Sequence, residues 1–444
     1  MKKYHYSGNK LPNSATLIFK IKTIINDKIS SVENYVEYQP EQIHLSLSNN
    51  GRDMVVTWST PDSTGDSIVE YGIDKINLEA IGKETIFVDG GPEKRKQEIH
   101  RVLLPNLKPD TVYKYRCGGE KGWSPVFWFK TFPAGDDWIP SIAIYGDLGN
   151  KEALSLPYLQ KEAQNGVYDA VLHIGDFAYD METDNGGYGD EFMRQIEPVA
   201  AYLPYMTSPG NHENAYNFSH YKERFTMPGD NQGLYYSLNI GPVHFLFFSS
   251  ELYYYTEYLG PEKQYEWIIN DLEEATKPEN RAKHPWIIVL AHRPMYCTSF
   301  NSDDCTFKNT KTRVGLGIPR KYGLESVFYK YGVDMEIWAH EHTYERFYPL
   351  YDYKVYNGSM DEPYVNPKAP IHIISGSAGC QEGHDQFTPK QPSYSAFRTR
   401  DYGYTRFKAY NHTHLYLEQV SINARKVVDQ FWVVKDSHKP YTIL

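Results

Sequence analysis

The chain has 444 residues, 41% of them hydrophobic and 23% charged, with a formal net charge of −10. That balance describes a folded chain with room for two or three domains and excludes an intrinsically disordered one. It offers no basic stripe for nucleic acid, and no apolar run reaches the length of a membrane span.

Residues 1–38 show neither turn logic nor an amphipathic period and read as an N-terminal arm. Its most signal-like stretch, LIFKIKTII from Leu17 to Ile25, is broken by Lys20 and Lys22, so no secretory signal is expected. From 39 to 134 short β runs alternate with turn clusters: IHLSLS, DMVVTWST, SIVEYG, HRVLLPNL, TVYKYRCGG and VFWFKTF. Regular spacing without helical segments predicts a small β-sandwich with Trp58 as its core anchor. The segment PAGDDWIP, Pro133 to Pro140, reads as the junction to a second domain over 135–444.

There the rhythm changes to apolar strands alternating with helical stretches, the pattern of an α/β domain. The predicted strands are SIAIYG, AVLHIG, LPYMTS, VHFLFFS, WIIVLA, MEIWA and IHIIS. Helices are expected over Glu152–Asn165, Asp190–Tyr202, Pro261–Glu274 and Gly323–Tyr331. His173, His244 and His372 lie inside strand-like runs and read as packed histidines. Four cysteines, Cys117, Cys297, Cys305 and Cys380, lack zinc-site spacing. Cys297 and Cys305 bracket a short polar loop and could close it as a disulfide or remain as thiols. Sequons at Asn217, Asn357 and Asn411 suggest glycosylation.

The residues just past each strand carry the chemistry. SIAIYG leads to Asp147-Leu148-Gly149, AVLHIG to Asp176 and Tyr179, and LPYMTS to Gly210-Asn211-His212-Glu213. WIIVLA leads to His292, and MEIWA to His340-Glu341-His342. A lone aspartate after a strand is usually a turn residue. Five successive clusters of oxygen and nitrogen donors at the ends of strands are another matter, because ligands bind outside the carboxyl ends of strands in open α/β sheets. In an extended segment His340 and His342 face the same way, so they can reach two neighbouring metals. Tyr344 stands where a zinc-protease helix needs a second histidine, so that motif is absent.

The ordered set Asp147-x-Gly149, Gly175-Asp176-x-x-Tyr179, Gly210-Asn211-His212-Glu213, His292 and His340-x-His342 resembles the metallophosphoesterases, and within them the purple acid phosphatases. SGSAGC and DYGYTRF are similar to the animal branch of the long forms. The resemblance implies an N-terminal fibronectin-III-like sandwich followed by an α/β metallophosphoesterase sandwich with a dinuclear metal site. It assigns Asp147, Tyr179 and His342 to Fe(III), and Asn211, His292 and His340 to a divalent Zn, Mn or Fe ion, with Asp176 bridging. Anionic phenolate and carboxylate donors suit Fe(III), and the neutral set suits the divalent ion. Many other metallophosphoesterases carry histidine where Gly149 stands and have no tyrosine, so Gly149 and Tyr179 agree with each other.

The activity implied is acid hydrolysis of phosphate monoesters, with hydroxide held by the metals as nucleophile and His212 as proton donor. Two metals about 3.5–4 Å apart suit that displacement. Five metal charges less three from Asp147, Asp176 and Tyr179 leave roughly +2, which explains how an acidic protein draws a phosphorylated small molecule. Glu213 orients His212 or caps a helix start, and Arg293 is a phosphate contact or, more commonly for such a residue, an ion-pair partner. Two departures stand out. Plant-type members carry adjacent histidines where Asn301 and Ser302 stand, with Asp303 and Asp304 next in this chain, and Ala339 replaces a glycine before the closing histidines. The alternatives are diester or pyrophosphate cleavage on the same scaffold, or a metal-free binding module. The resemblance implies a secreted or lysosomal protein and leaves the oligomeric state open, a homodimer among the options.

Overall fold

The computed structural model describes residues 36–442 except 258, 259 and 304. Leu17–Ile25 and Asp304 therefore lie outside the described residues.

Two antiparallel sheets build the first body. Glu41–Leu47, Met54–Thr60, Lys96–Leu104 and Lys83–Val88 pair in that order. Leu78–Ile81, Ile68–Gly72, Val112–Gly119 and Gly122–Trp123 form the second sheet, with Phe127–Lys130 also paired to Val112–Gly119. Alternate residues of each strand face inward, so Met54, Val56, Trp58 and Val102 of one sheet meet Val69, Tyr115 and Phe129 of the other. Trp58 is 1% exposed and its ring stacks on His100, with centroids 4.8 Å apart.

The second body is also two sheets, now with helices outside. Tyr205–Ser208, Ala170–Ile174 and Ser141–Tyr145 run parallel and continue into the antiparallel meander Gly403–Asn411, His414–Ser421 and Lys426–Val434. The other sheet has seven strands, with Val243–Phe248, Trp286–Leu290, Met335–Trp338 and Ile371–Ser375 parallel at its centre. Strands buried on both faces read as unbroken apolar runs, and AVLHI and WIIVL are buried throughout. Residues of both sheets, among them Ile144, Leu172, Phe245, Ile288 and Ile337, share one core.

The helices form at Leu156–Gln164, Gly187–Ala200, Glu262–Ala275 and Glu325–Tyr331. The first starts later than the pattern suggests because Glu152 takes a left-handed φ of 60°. The meander and the strands Tyr235–Ile240, Tyr344–Phe347 and Ser395–Thr399 extend the sheets beyond the predicted set. Arg406, Lys408 and Glu418 on the outer face interrupt the apolar signal there.

The two bodies meet across a buried polar seam. Arg224, 1% exposed, donates to Asp190 Oδ1 at 2.8 Å and to Gln42 Oε1 at 3.1 Å, and Arg95 of the sandwich also pairs with Asp190. Tyr115 donates to the Ala201 carbonyl at 2.7 Å, and the Ile43 amide to Glu197 at 3.0 Å. His173 and His372 are buried, and His244 pairs with Asp271 at 2.8 Å, as their place inside strands suggests. Cys297 and Cys305 form a disulfide.

Candidate metal centre

The carboxyl ends of five parallel strands converge on one crevice. Asp147 follows Ser141–Tyr145, Asp176 and Tyr179 follow Ala170–Ile174, Asn211 and His212 follow Tyr205–Ser208, His292 follows Trp286–Leu290, and His340 and His342 follow Met335–Trp338. Asp147, Asp176, Tyr179 and His340 all take left-handed φ angles, 57°, 54°, 58° and 69°. Such angles cost L-residues energy and cluster at functional sites. The glycines make room: a Cβ on Gly175 would lie 2.5 Å from His292 Nδ1, and one on Gly210 would lie 2.2 Å from Asp176 Oδ1. Ala339 is accommodated by Gly146, where an added Cβ would come within 2.4 Å of its methyl.

All seven candidate ligands stand in this crevice, in two groups. Tyr179 Oη is 2.8 Å from His342 Nε2 and 3.2 Å from Asp147 Oδ1, and His342 Nε2 is 3.4 Å from that same oxygen. His292 Nε2 is 3.1 Å from Asp176 Oδ2 and 3.2 Å from Asn211 Oδ1. Ligand atoms of Asp176, His292 and His340 all lie within 4.8 Å of one another. Two donors each about 2.1 Å from one cation and at right angles to each other lie about 3 Å apart, so these separations fit coordination spheres.

The surroundings aim the donors. His292 Nδ1 lies 2.9 Å from the Ile174 carbonyl and His342 Nδ1 2.9 Å from that of Gly383, which turns each Nε2 inward. The His340 amide donates to Asp147 Oδ2 at 2.9 Å, and the His342 amide to Asp385 Oδ2 at 2.7 Å. Burial and the charges of Asp147 and Asp176 push the Tyr179 phenol well up. A phenolate there needs a cation beside it.

His212 and Glu213 separate in role. His212 Nδ1 is 2.8 Å from Asp180 Oδ1, while Glu213 accepts three backbone N–H groups, from Asp176 and Phe177 at 2.9 Å and Gly210 at 2.8 Å. Glu213 therefore braces the two ligand loops, and Asp180 is the group on His212. Burial lowers the imidazole, while the charge of Asp176 and the bond to Asp180 raise it. Arg293 is an ion-pair partner, its Nε 2.9 Å from Glu251, with its guanidinium 4.4 Å over the Tyr254 ring. The strand-end pattern does not single out Asp180, Asp303 or Asp385 as site residues. Asp180 carries a signal in being next to Tyr179, and Asp303 in following the positions where plant-type members have histidines.

Three family descriptions match the chain: Purple acid Phosphatase, N-terminal domain over residues 40–131, Calcineurin-like phosphoesterase over 140–344, and Iron/zinc purple acid phosphatase-like protein C over 369–430. Acid phosphatase type 7 of Danio rerio is 54% identical over 90% of this chain and 93% of its own length. The Homo sapiens protein of that name is 50% identical over 89% and 91%. Purple acid phosphatase 21 of Arabidopsis thaliana is 32% identical over 85% and 80%. The solved purple acid phosphatase PPD1 of yellow lupin seeds shares the fold with a TM-score of 0.76 at 24% identity, over 90% of this chain and 75% of that one. With a sandwich before a two-sheet α/β body and candidate metal-binding side chains at the strand ends, the chain belongs to the purple acid phosphatases, dinuclear-metal phosphoesterases that act as acid phosphatases.

Proposed function

We propose that the chain hydrolyses small phosphate monoesters in acid. In this reading Asp147, Tyr179 and His342 would hold Fe(III), Asn211, His292 and His340 would hold a divalent Zn, Mn or Fe ion, and Asp176 would serve both. The observation that carries it is the donor spacing: Tyr179 to His342 at 2.8 Å on one side and His292 to Asp176 at 3.1 Å on the other. When bound, the metal pair supplies an activated water and positive charge for a phosphoryl oxygen.

The protein's own residues do the rest. His212 Nε2 lies 4.0 Å from Asp176 Oδ2, and its side chain is 20% exposed. It gives its proton to the leaving alkoxide, and Asp180 on Nδ1 holds the imidazole charged and oriented for that transfer. Glu213 keeps the Asp176 and Asn211 loops in register. The disulfide supports an oxidising compartment, secreted or lysosomal. Among the described residues no helix is long and apolar enough to cross a membrane.

Elemental analysis and a visible spectrum of purified protein, with a pH profile on an aryl phosphate, test the reading. Iron with an equal amount of a divalent metal, a visible tyrosinate-to-iron band lost in Tyr179→Phe, and an acidic optimum are expected. A metal-free protein, or a band that survives in Tyr179→Phe, would refute the ligand set. Diester and pyrophosphate substrates turned over faster than monoesters would refute the substrate class.

A further inference from the structure

The loop closed by Cys297 and Cys305 enters the metal centre. Asp303 Oδ2 sits 2.8 Å from His340 Nε2, and its Oδ1 accepts the Cys305 amide at 2.9 Å. Asn301 of the same loop donates to Glu341 Oε2 at 3.0 Å, between the two closing histidines. The loop is thus tied at three points, by its disulfide, to the backbone at its own end and to the His340–His342 segment. The Asp303 side chain is 14% exposed.

We propose that Asp303 is an additional carboxylate ligand of the divalent ion, on the His340 side, beyond Asp176, Asn211, His292 and His340. This rests on the metal assignment of the proposed function. The separation of 2.8 Å between Asp303 and His340 matches the 3.1 Å between Asp176 and His292, the spacing of neighbouring donors on one ion. Ligand atoms of Asp303, His340 and Glu341 lie within 4.8 Å of one another, and those of Asp176, His292 and His340 form a second such group. His340 is common to both groups, and its Nε2 is the atom 2.8 Å from Asp303, so an ion bound at that nitrogen lies within reach of Asp303.

The competing role is counter-ion to Arg293, whose Nη1 is 3.4 Å from Asp303 Oδ2 and 2.9 Å from His340 Nε2. Arg293 already has a closer carboxylate in Glu251, at 2.9 Å. Asp303 also changes the donor chemistry. A further carboxylate oxygen beside Asp176 and Asn211 favours a hard ion such as Mn(II) relative to Zn(II), which imidazole suits better.

The test is metal content. Apo protein, wild type and Asp303→Asn, is equilibrated with Fe(III) and then with buffered Mn(II), Zn(II) or both, and bound metal is read by elemental analysis. The variant is expected to bind Mn(II) at least about tenfold more weakly, with a lower Mn:Zn ratio and unchanged iron. Equal affinity and equal ratio in the two proteins would overturn the proposal and leave Asp303 as a partner of Arg293. Wild type that takes up no divalent ion would overturn both this proposal and the metal assignment beneath it. Asp303→Ser, which keeps a small acceptor for the Cys305 amide, provides the same comparison if the asparagine variant does not fold.

Discussion

His212, in the one-turn 3-10 helix Asn211–Glu213, and Asp180, in the turn after Ala170–Ile174, face each other across 2.8 Å, Nδ1 to Oδ1. In the proposed function this pair supplies the proton for the leaving group. A general acid works only while protonated, so activity falls as pH rises through its pKa, and a carboxylate on Nδ1 moves that fall to higher pH. Asp180→Asn should shift the alkaline limb of the kcat/KM profile toward acid and lower kcat on poor leaving groups. His212→Ala should cost about 10²–10⁴-fold on such substrates while metal content stays intact. An unchanged limb in Asp180→Asn would separate Asp180 from the proton transfer.

Glu213→Ala would leave the amides of Asp176, Phe177 and Gly210 buried without partners. Each unsatisfied donor costs about 1–3 kcal/mol, so the three together should cost at least about 3 kcal/mol in denaturant unfolding, with weaker metal retention on dialysis. Glu213→Gln keeps one acceptor oxygen and should fall between. Retention of full stability and metal in the alanine variant would remove the bracing role.

Asp190 neutralises a guanidinium that has almost no access to water. Burial opposes ionisation of its carboxyl, but Arg224 and Arg95 more than offset that and hold it below the usual range. Asp190→Ala strands the charge of Arg224 in the seam and should cost about 3–5 kcal/mol. The double variant Asp190→Ala, Arg224→Met removes both charges and should recover much of it. A double variant no more stable than the single one would mean that lost packing, not the unpaired charge, dominates.

His100 makes the sandwich sensitive to acid. It is buried against Trp58, with Thr60 and Ser67 hydroxyls 2.9 Å from its two nitrogens and Glu84 at 3.9 Å. Burial lowers its pKa to about 4. Above about pH 6.5 the ring is neutral in folded and unfolded chains alike; between there and pH 4 only the unfolded chain takes the proton, so stability is lost as pH falls. His100→Gln removes that dependence. The Tm advantage of wild type over the variant should shrink from pH 7 to pH 4, and a constant difference would contradict it.

Much of the centre is legible because each candidate ligand lies in the turn that follows a buried strand. Burial on both faces makes AVLHI and WIIVL unmistakable apolar runs, and chain direction then puts whatever comes next at one edge of the sheet. The half-exposed meander escapes because its charged outer face breaks those runs.

Sequence alone determined which atoms are available for two metals, since donor type and order are covalent facts. Tertiary structure decided which carboxylate serves which partner. Glu213, Asp180, Asp303 and Asp385 are all acids near histidines in sequence or space, yet one braces amides, one faces His212, one reaches His340 and one anchors the His342 backbone. The physical reason is that such pairings span up to 43 residues and depend on where loops pack, which no local pattern encodes.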